Sequence, residues 1–451
     1  MKWHSVNKND VFGANYRFDA AYHLSDGVSI RRSITNAPNG TIKIADATER
    51  IFYGIRANRV YVDYREFAIP FMTGANIMLA DLSNTKLVSK KHTPGIQEMT
   101  LKEGWVMVTR SGTVGQTAWS NKLHAGKYGS EDIIRVVPND KIKGGMLYSF
   151  LASKYGHSLL TQGSFGAVIQ HIEPSFIGNI DIPIFPIEFQ SKVDELVRSS
   201  ASLREEAADL LKTAQNKIDT ILNIPENLPE QRISIKSVIQ SHNTRFEGSY
   251  FTSKNRRLYN YIINNFKYKT LKDYTERIFR PGIFKREYVE KGVMFLGGAD
   301  IMMAIPHSEK QLSFRQVERM PELKVKKGWM LVTCGGTIGN TVYIDKQLEQ
   351  CVISQHVMRI VPKESVPSGF LYAFLSSRIG YELITLFTYG AVIPSVEPHH
   401  LELVPIPDFD EIDMQNIDKL VQEHVSKIEE AKEKELLAIQ LVEQEIEKWN
   451  K

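Results

Sequence analysis

Gly104-Trp105-Val106-Met107-Val108-Thr109, followed by Ser111-Gly112-Thr113-Val114-Gly115, returns 224 residues later as Gly328-Trp329-Met330-Leu331-Val332-Thr333 and Gly335-Gly336-Thr337-Ile338-Gly339. The same offset carries Gly166-Ala167-Val168-Ile169 and Glu173-Pro174 onto Gly390-Ala391-Val392-Ile393 and Glu397-Pro398. It also carries Leu147-Tyr148, Phe150-Leu151 and Gly156 onto Leu371-Tyr372, Phe374-Leu375 and Gly380. A constant offset over so long a span means one domain present twice. Upstream the match continues with small gaps. Arg17 to Tyr22 resembles Arg245 to Tyr250, and Thr48-Glu49-Arg50-Ile51-Phe52 equals Thr275-Glu276-Arg277-Ile278-Phe279. Phe71, Gly74-Ala75, Ile77-Met78 and Ala80 recur as Phe295, Gly298-Ala299, Ile301-Met302 and Ala304. Loop lengths therefore differ at the front of the unit and hold steady at the back.

Within each unit, Trp105 to Thr109 reads as a strand closed by a glycine-rich turn. Ile133 to Val137 and Val357 to Val361 read as strands, each ended by a proline. Met146 to Gly156 and Phe370 to Gly380 carry helical spacing and end on glycine, a C-cap signal. Ile180 to Ile184 and Leu403 to Pro407 are extended, because proline disfavours helix at the residue before it. Each copy is thus a mixed α/β (α+β) domain.

A long amphipathic pattern follows each domain. Val193, Leu196, Val197, Leu203, Ala207, Leu210, Leu211, Ala214, Ile218 and Ile221 recur at spacings of three and four. So do Ile417, Leu420, Val421, Ile428, Ala431, Ile439, Val442, Ile446 and Trp449. The stripes are narrow, as a coiled-coil seam requires. At about 1.5 Å per residue, Gln190 to Leu222 would run about 50 Å, longer than a compact domain needs. The reading favours the two helices pairing with each other over each packing on its own domain. A two-fold relation between the copies would make them antiparallel. The expected organisation is a globular domain over residues 1–187, a helix over 188–222, a linker over 223–235, a second domain over 236–408 and a second helix over 409–451.

Composition narrows the classes further. The 451 residues are 42% hydrophobic and 24% charged, ordinary globular values, and the net charge of +4 asks only for local basic patches. Cys334 and Cys351 both fall in the second copy, opposite Arg110 and Lys127, so a pair of free thiols in a reducing compartment is expected. The start, Met1-Lys2-Trp3-His4-Ser5, opens no apolar signal region, and no apolar stretch approaches the roughly 20 residues that span a bilayer. A cytoplasmic protein without a membrane partner is expected.

Enzyme signatures are sparse. The glycine loops lack the lysine of a phosphate-binding loop, and no dinucleotide fingerprint follows a strand. Their glycines read as tight-turn residues. His399-His400 reads as a solvated pair. No Asn-Pro-Pro-aromatic segment of an amino-methyltransferase is present, and Pro407-Asp408 lacks a following Glu-x-Lys of a nuclease. Glu173 and Glu397 read as capping residues ahead of their prolines.

Polar loop residues carry more. Tyr53-Gly54-Ile55-Arg56-Ala57-Asn58-Arg59 corresponds to Arg280-Pro281-Gly282-Ile283-Phe284-Lys285-Arg286, basic residues interleaved with aromatics, which suits phosphate contacts and stacking. Arg110 faces Cys334, Gln116 faces Asn340, and Gln170-His171 faces Pro394-Ser395. Arginine and glutamine at such turns can make bidentate contacts to base edges. One frame with altered tips suits two readers of different DNA sequences. The candidate DNA-binding residues are Arg56, Arg59, Arg110, Ser111, Thr113, Gln116, Gln170, His171, Arg280, Lys285, Arg286, Thr337, Asn340 and Gln355.

On these features the chain resembles the specificity subunit of type I restriction-modification systems. The resemblance is carried by the tandem architecture, the Gly-Trp-x-x-x-Thr-x-x-Gly-Thr-x-Gly segments, the Ile-Pro segments at 182–183 and 406–407, and the helix after each. It implies two target recognition domains, each reading one half of a split site on double-stranded DNA, about one helical turn (~34 Å) apart. The helices would space the domains and dock two methyltransferase subunits; restriction subunits would join for cleavage. This chain would carry no catalytic residue and no cofactor. Partner subunits would use S-adenosylmethionine, and ATP with magnesium. The chain departs from the commonest family pattern at the helix starts, Phe185-Pro186-Ile187-Glu188-Phe189-Gln190 and Pro407-Asp408-Phe409-Asp410-Glu411-Ile412. Two other classes fit the residues less well: a DNA methyltransferase or nuclease with an unfamiliar site, and a scaffold that binds proteins alone.

Overall fold

A computed structural model describes residues 6, 8, 11, 18, 20–56, 58–63, 65–164, 170–225, 227–230, 233–239, 247–390 and 394–450. The repeated segments Gly166 to Ile169 and Ala391 to Ile393, and most of the early match around Arg17 and Arg245, lie outside them. The chain divides into two compact units: Met1–Glu205 with Glu430–Lys451, and Glu206–Glu429.

In the first unit the strands are β1 (Thr48–Phe52), β2 (Ala68–Met72), β3 (Val106–Thr109), β4 (Thr117–Trp119), β5 (Tyr128–Gly129) and β6 (Ile133–Pro138). An antiparallel sheet has the order β1-β6-β3-β4. A smaller sheet pairs β2 with Leu87–Ser89 and, in parallel, with β5. The helices are α1 (Gly144–Ala152), α2 (Lys154–Gln162), α3 (Pro174–Gly178) and α4 (Ile187–Leu222). The second unit repeats the set as β7 (Thr275–Phe279), β8 (Tyr288–Leu296), β9 (Met330–Thr333), β10 (Thr341–Tyr343), β11 (Val352–Ile353) and β12 (Val357–Pro362), with α5 (Ser368–Ser376), α6 (Arg378–Leu386), α7 (Pro398–Leu401) and α8 (Glu411–Lys448). Its larger sheet has the order β7-β12-β9-β10.

Register repeats as well as order. Val106 faces Val136 and Met107 faces Arg135, while Met330 faces Ile360 and Leu331 faces Arg359. Even the bulge recurs, between Thr48 and Arg50 and between Thr275 and Arg277. A shift by one residue would turn every side chain to the wrong face, so matching register is a strict form of equivalence. The strands read as unbroken apolar runs because both sheet faces are covered. Val106 and Val108 enter a core with Met146, Leu147 and Phe150, while Met107 enters another with Met72 and Ile77. Met330 and Val332, and Leu331 on the other face, divide in the same way. Each such fully buried side chain contributes about 1.5–3 kcal/mol.

The mixed α/β expectation is met, and the Ile-Pro segments are extended, Asp181–Pro183 pairing with Thr41–Lys43 and Pro405–Pro407 with Tyr268–Thr270. Both cysteines are free thiols. Gly156 and Gly380 are a correction: neither ends a helix. Each lies in the first turn of a second helix, capped by Ser153 or Ser377, whose hydroxyl accepts from the glycine N–H at 3.2 Å or 3.1 Å. The glycine is there because a Cβ at Gly156 would stand 2.1 Å from the Phe150 carbonyl oxygen, and one at Gly380 2.2 Å from that of Phe374.

The long helices pair antiparallel within each unit. In the first, Ser200 donates to the Ala431 carbonyl at 2.8 Å and Arg204 to Glu435 at 2.7 Å. In the second, His424 Nδ1 donates to the Ala207 carbonyl at 2.7 Å and Lys427 meets Glu206 at 2.7 Å. Positions 200 and 424 correspond, as do 431 and 207, so the same side-chain-to-carbonyl contact is written twice. The helices also pack on their own domains. Asp194 caps the start of α1 by accepting from the Gly145 N–H at 2.7 Å, and Asp418 does the same for Gly369 in α5 at 2.7 Å. Pairing and domain packing coexist because small residues (Ala201, Ala207, Ala214, Ala431, Ala438) fill the seam. No helix among the described residues is long and apolar enough to cross a membrane.

Candidate nucleic-acid interface

The turn after β3 is built by its glycines. Gly112 and Gly115 have φ of 74° and 84°, and Gly336 and Gly339 have 79° and 88°, values that favour glycine over any other residue. Thr109 holds the turn shut: its hydroxyl donates to the Thr113 carbonyl and accepts from the Gln116 N–H at 2.9 Å. Thr333 accepts from the Asn340 N–H at 3.1 Å. The loops are tight turns rather than phosphate cradles.

Two other segments close on this turn. Arg110 N–H donates to the Asp132 carbonyl at 2.8 Å, and Ile172 N–H to the Arg110 carbonyl at 3.1 Å. Cys334 N–H donates to the His356 carbonyl at 3.2 Å, and Val396 N–H to the Cys334 carbonyl at 3.2 Å. Each unit therefore gathers three loops at one end of its sheet, around 110–116, 130–133 and 170–173 in the first and 334–340, 354–357 and 394–397 in the second.

The sequence candidates gather here through carboxylates. Arg59 meets Glu131 at 2.5 Å and lies 4.8 Å over the Phe71 ring; Arg56, 91% exposed, reaches the same carboxylate at 3.9 Å. Arg110 meets Glu173 at 2.6 Å and lies 4.1 Å over Tyr53. Ser111 donates to Asp132 and forms a backbone bridge with His171. Thr113 and Gln170 are exposed, and Gln116 is half-buried.

In the second unit Arg280 meets Glu397 at 2.6 Å. Arg286 donates to Gln355 at 3.3 Å and lies 5.6 Å from the Phe295 ring centre. Lys285 and Thr337 are exposed, Asn340 is half-buried, and Gln355 is 6% exposed. Glu397 caps α7 in a reciprocal box with His400, whose ring is buried against Phe387. His400 is thus a packed capping residue rather than part of a solvated pair.

Sequence reading missed Glu131, Asp132 and His356, the residues at the centre of the loop cluster. Their signal was available: Glu131-Asp132 becomes Gln355-His356 across the same offset. It also missed Arg135 and Arg359, the two largest fully buried side chains. Arg135 donates to the carbonyls of Ser130 (3.0 Å), Ile133 (2.6 Å), Gly129 (2.6 Å) and Met99 (3.3 Å). Arg359 donates to those of Ser354 (2.8 Å), Val357 (2.6 Å), Leu323 (3.4 Å) and Ile353. Burial pulls both guanidinium groups down to about 10, still charged near neutrality. Each arginine pins the loop that carries residue 131 or 355 to the sheet.

A rigid frame repeated in register, with polar tips that differ between copies, defines a two-module recognition protein. Residues 264–438 match the family model described as "Type I restriction modification DNA specificity domain". The second repeat matches such a domain, and the first repeats its strand order and register. Among solved structures, it is similar to the S subunit of a type I system from M. genitalium, at 13% identity, 91% of this chain, 95% of that chain and a TM-score of 0.32. It is likewise similar to the HsdS subunit from Thermoanaerobacter tengcongensis, at 14% identity, 91% of this chain, 96% of that chain and a TM-score of 0.29. No curated protein matches the chain.

Proposed function

We propose that this chain recognises a bipartite, asymmetric DNA site. Residues 1–187 and 236–408 act as the two target recognition domains, and the helices over 188–222 and 409–451 space them across residues 223–235. It acts in the cytoplasm without catalysing a reaction, positioning two adenine-N6 methyltransferase subunits and the restriction subunits that cleave. The observation that carries the reading is equal register beneath unequal tips: Arg110 against Cys334, Gln116 against Asn340 and Glu131 against Gln355 stand in the loops beside strands of matching register. Arg56, Thr113, Gln170, Lys285 and Thr337 are exposed and would meet DNA directly. Arg110, Arg280 and Arg59 would do so by exchanging a carboxylate for phosphate or guanine.

Modification mapped across a host genome, with this chain and its methyltransferase partner expressed together, tests the reading. The expected result is one motif made of two unlike halves around an unread gap. Replacing residues 1–187 by a homologous domain should change one half only. Methylation without a motif, or by this chain alone, would overturn the proposal.

A further inference from the structure

Arg59 and Arg286 are the same residue in the two copies. Each lies against an equivalent phenylalanine on its small sheet, Phe71 or Phe295, and each donates to the side chain at one equivalent position, 131 or 355. What differs is that partner. Glu131 is a carboxylate at 2.5 Å and 13% exposed; Gln355 is a neutral amide at 3.3 Å. The next residue changes in the same sense, Asp132 becoming His356. In the first unit Arg59 pairs with Glu131 and Arg56 reaches the same carboxylate at 3.9 Å. In the second, Arg286 meets Gln355 instead, and among the described residues Arg286 forms no ion pair. Nearby Glu287 is taken by Arg319 at 3.1 Å.

We propose that position 131/355 sets how strongly each recognition domain grips phosphate, so that the second domain supplies the larger salt-dependent share of DNA affinity. Glu131 is a positioning residue that holds Arg59 flat on Phe71 and withdraws its charge. Gln355 holds Arg286 in the same pose through a neutral oxygen and leaves the charge available. Such a device lets two copies of one frame share an arginine anchor without gripping equally. A guanidinium that neutralises a phosphate releases condensed counterions, and the salt dependence of binding reports it.

The inference rests on the DNA-binding reading above, and salt titration separates the two. Binding of the full chain to a random-sequence duplex is followed by fluorescence anisotropy between low and moderate salt. Glu131→Gln should steepen the slope of log affinity against log salt by about 0.9, one phosphate contact, and Gln355→Glu should flatten it by about the same amount. The Glu131→Gln gain should vanish when Arg59→Gln is added, which a purely structural role for Glu131 would not produce. Wild-type binding with slopes unmoved, or moved in one direction by both substitutions, overturns the inference and leaves the functional reading standing. Absence of any DNA binding by the wild-type chain overturns both. Melting curves of each variant report folding independently.

Discussion

Arg280 donates to Glu397 at 2.6 Å, the same distance at which Arg110 meets Glu173, although positions 280 and 110 do not correspond. Glu173 and Glu397 do correspond. In the first copy the arginine stands at the end of β3 and a tyrosine, Tyr53, follows β1. In the second the arginine follows β7 and a cysteine, Cys334, ends β9. The charge pair is kept while its cationic half moves to a strand two places away, across β6 in the first sheet and β12 in the second. Cys334 is buried against Arg280, and burial pushes its thiol above the usual range, so it packs as a small apolar residue.

A cation that changes position around a fixed carboxylate should also be movable by design. Cys334→Arg alone places a second guanidinium in a space with one carboxylate, and Arg280→Tyr alone leaves Glu397 without its cation. The double variant rebuilds the first copy's arrangement in the second. Its destabilisation in urea should fall short of the sum of the singles by about 0.5–3 kcal/mol, the range for residues in one network. Additive losses would show that the two positions do not share a partner.

The buried arginines should be the least replaceable charged residues of the frame. Arg135→Met or Arg359→Met fits the apolar surroundings but removes the guanidinium donor shared by four backbone carbonyls, of which those of Ser130 and Ser354 keep a backbone N–H. Unpaired buried carbonyls outweigh the removed charge, and the loss should be about 3 kcal/mol or more for each unit. Denaturant unfolding of the single variants measures it. A loss below about 1 kcal/mol would mean that water replaces the guanidinium.

Repetition made the fold readable from the sequence. Val106-Met107-Val108 and Met330-Leu331-Val332 need no tertiary information to read as strands, because the same pattern survives in two independently diverged copies. The long helices were equally plain from their stripes. The site was only half visible. Basic residues announce themselves by type, but whether an arginine is spoken for depends on a carboxylate that sequence does not place beside it. Glu131 lies 72 residues from Arg59, and Glu397 lies 117 from Arg280. Gly156 misled for a similar reason: a glycine needed for close approach looks the same as one that ends a helix.

Two kinds of glycine can be told apart by substitution. Gly380→Ala drives a Cβ to 2.2 Å from a backbone oxygen, which cannot yield without moving a helix. Gly336→Ala meets nothing within 4 Å and suffers only from its φ of 79°. The first should lower stability by about 3 kcal/mol or more, the second by about 1 kcal/mol. Equal melting temperatures for the two variants would remove the close-approach argument.

His124 gives the first unit a pH dependence of known sign. Burial is the main reason its imidazole drops from 6.5 to about 4, with the Lys127 and Arg204 charges acting in the same direction. The folded chain therefore keeps it neutral while the unfolded chain takes a proton below pH 6.5. Stability is full above that pH and falls as pH drops towards 4, by about 2 kcal/mol between pH 7 and pH 5. Asn121 fixes the ring through its side-chain oxygen, 2.7 Å from Nδ1. His124→Gln keeps a polar group there and removes the titration. Its urea midpoint should fall less than the wild type's between pH 7 and pH 5; an identical fall would assign the dependence to other groups.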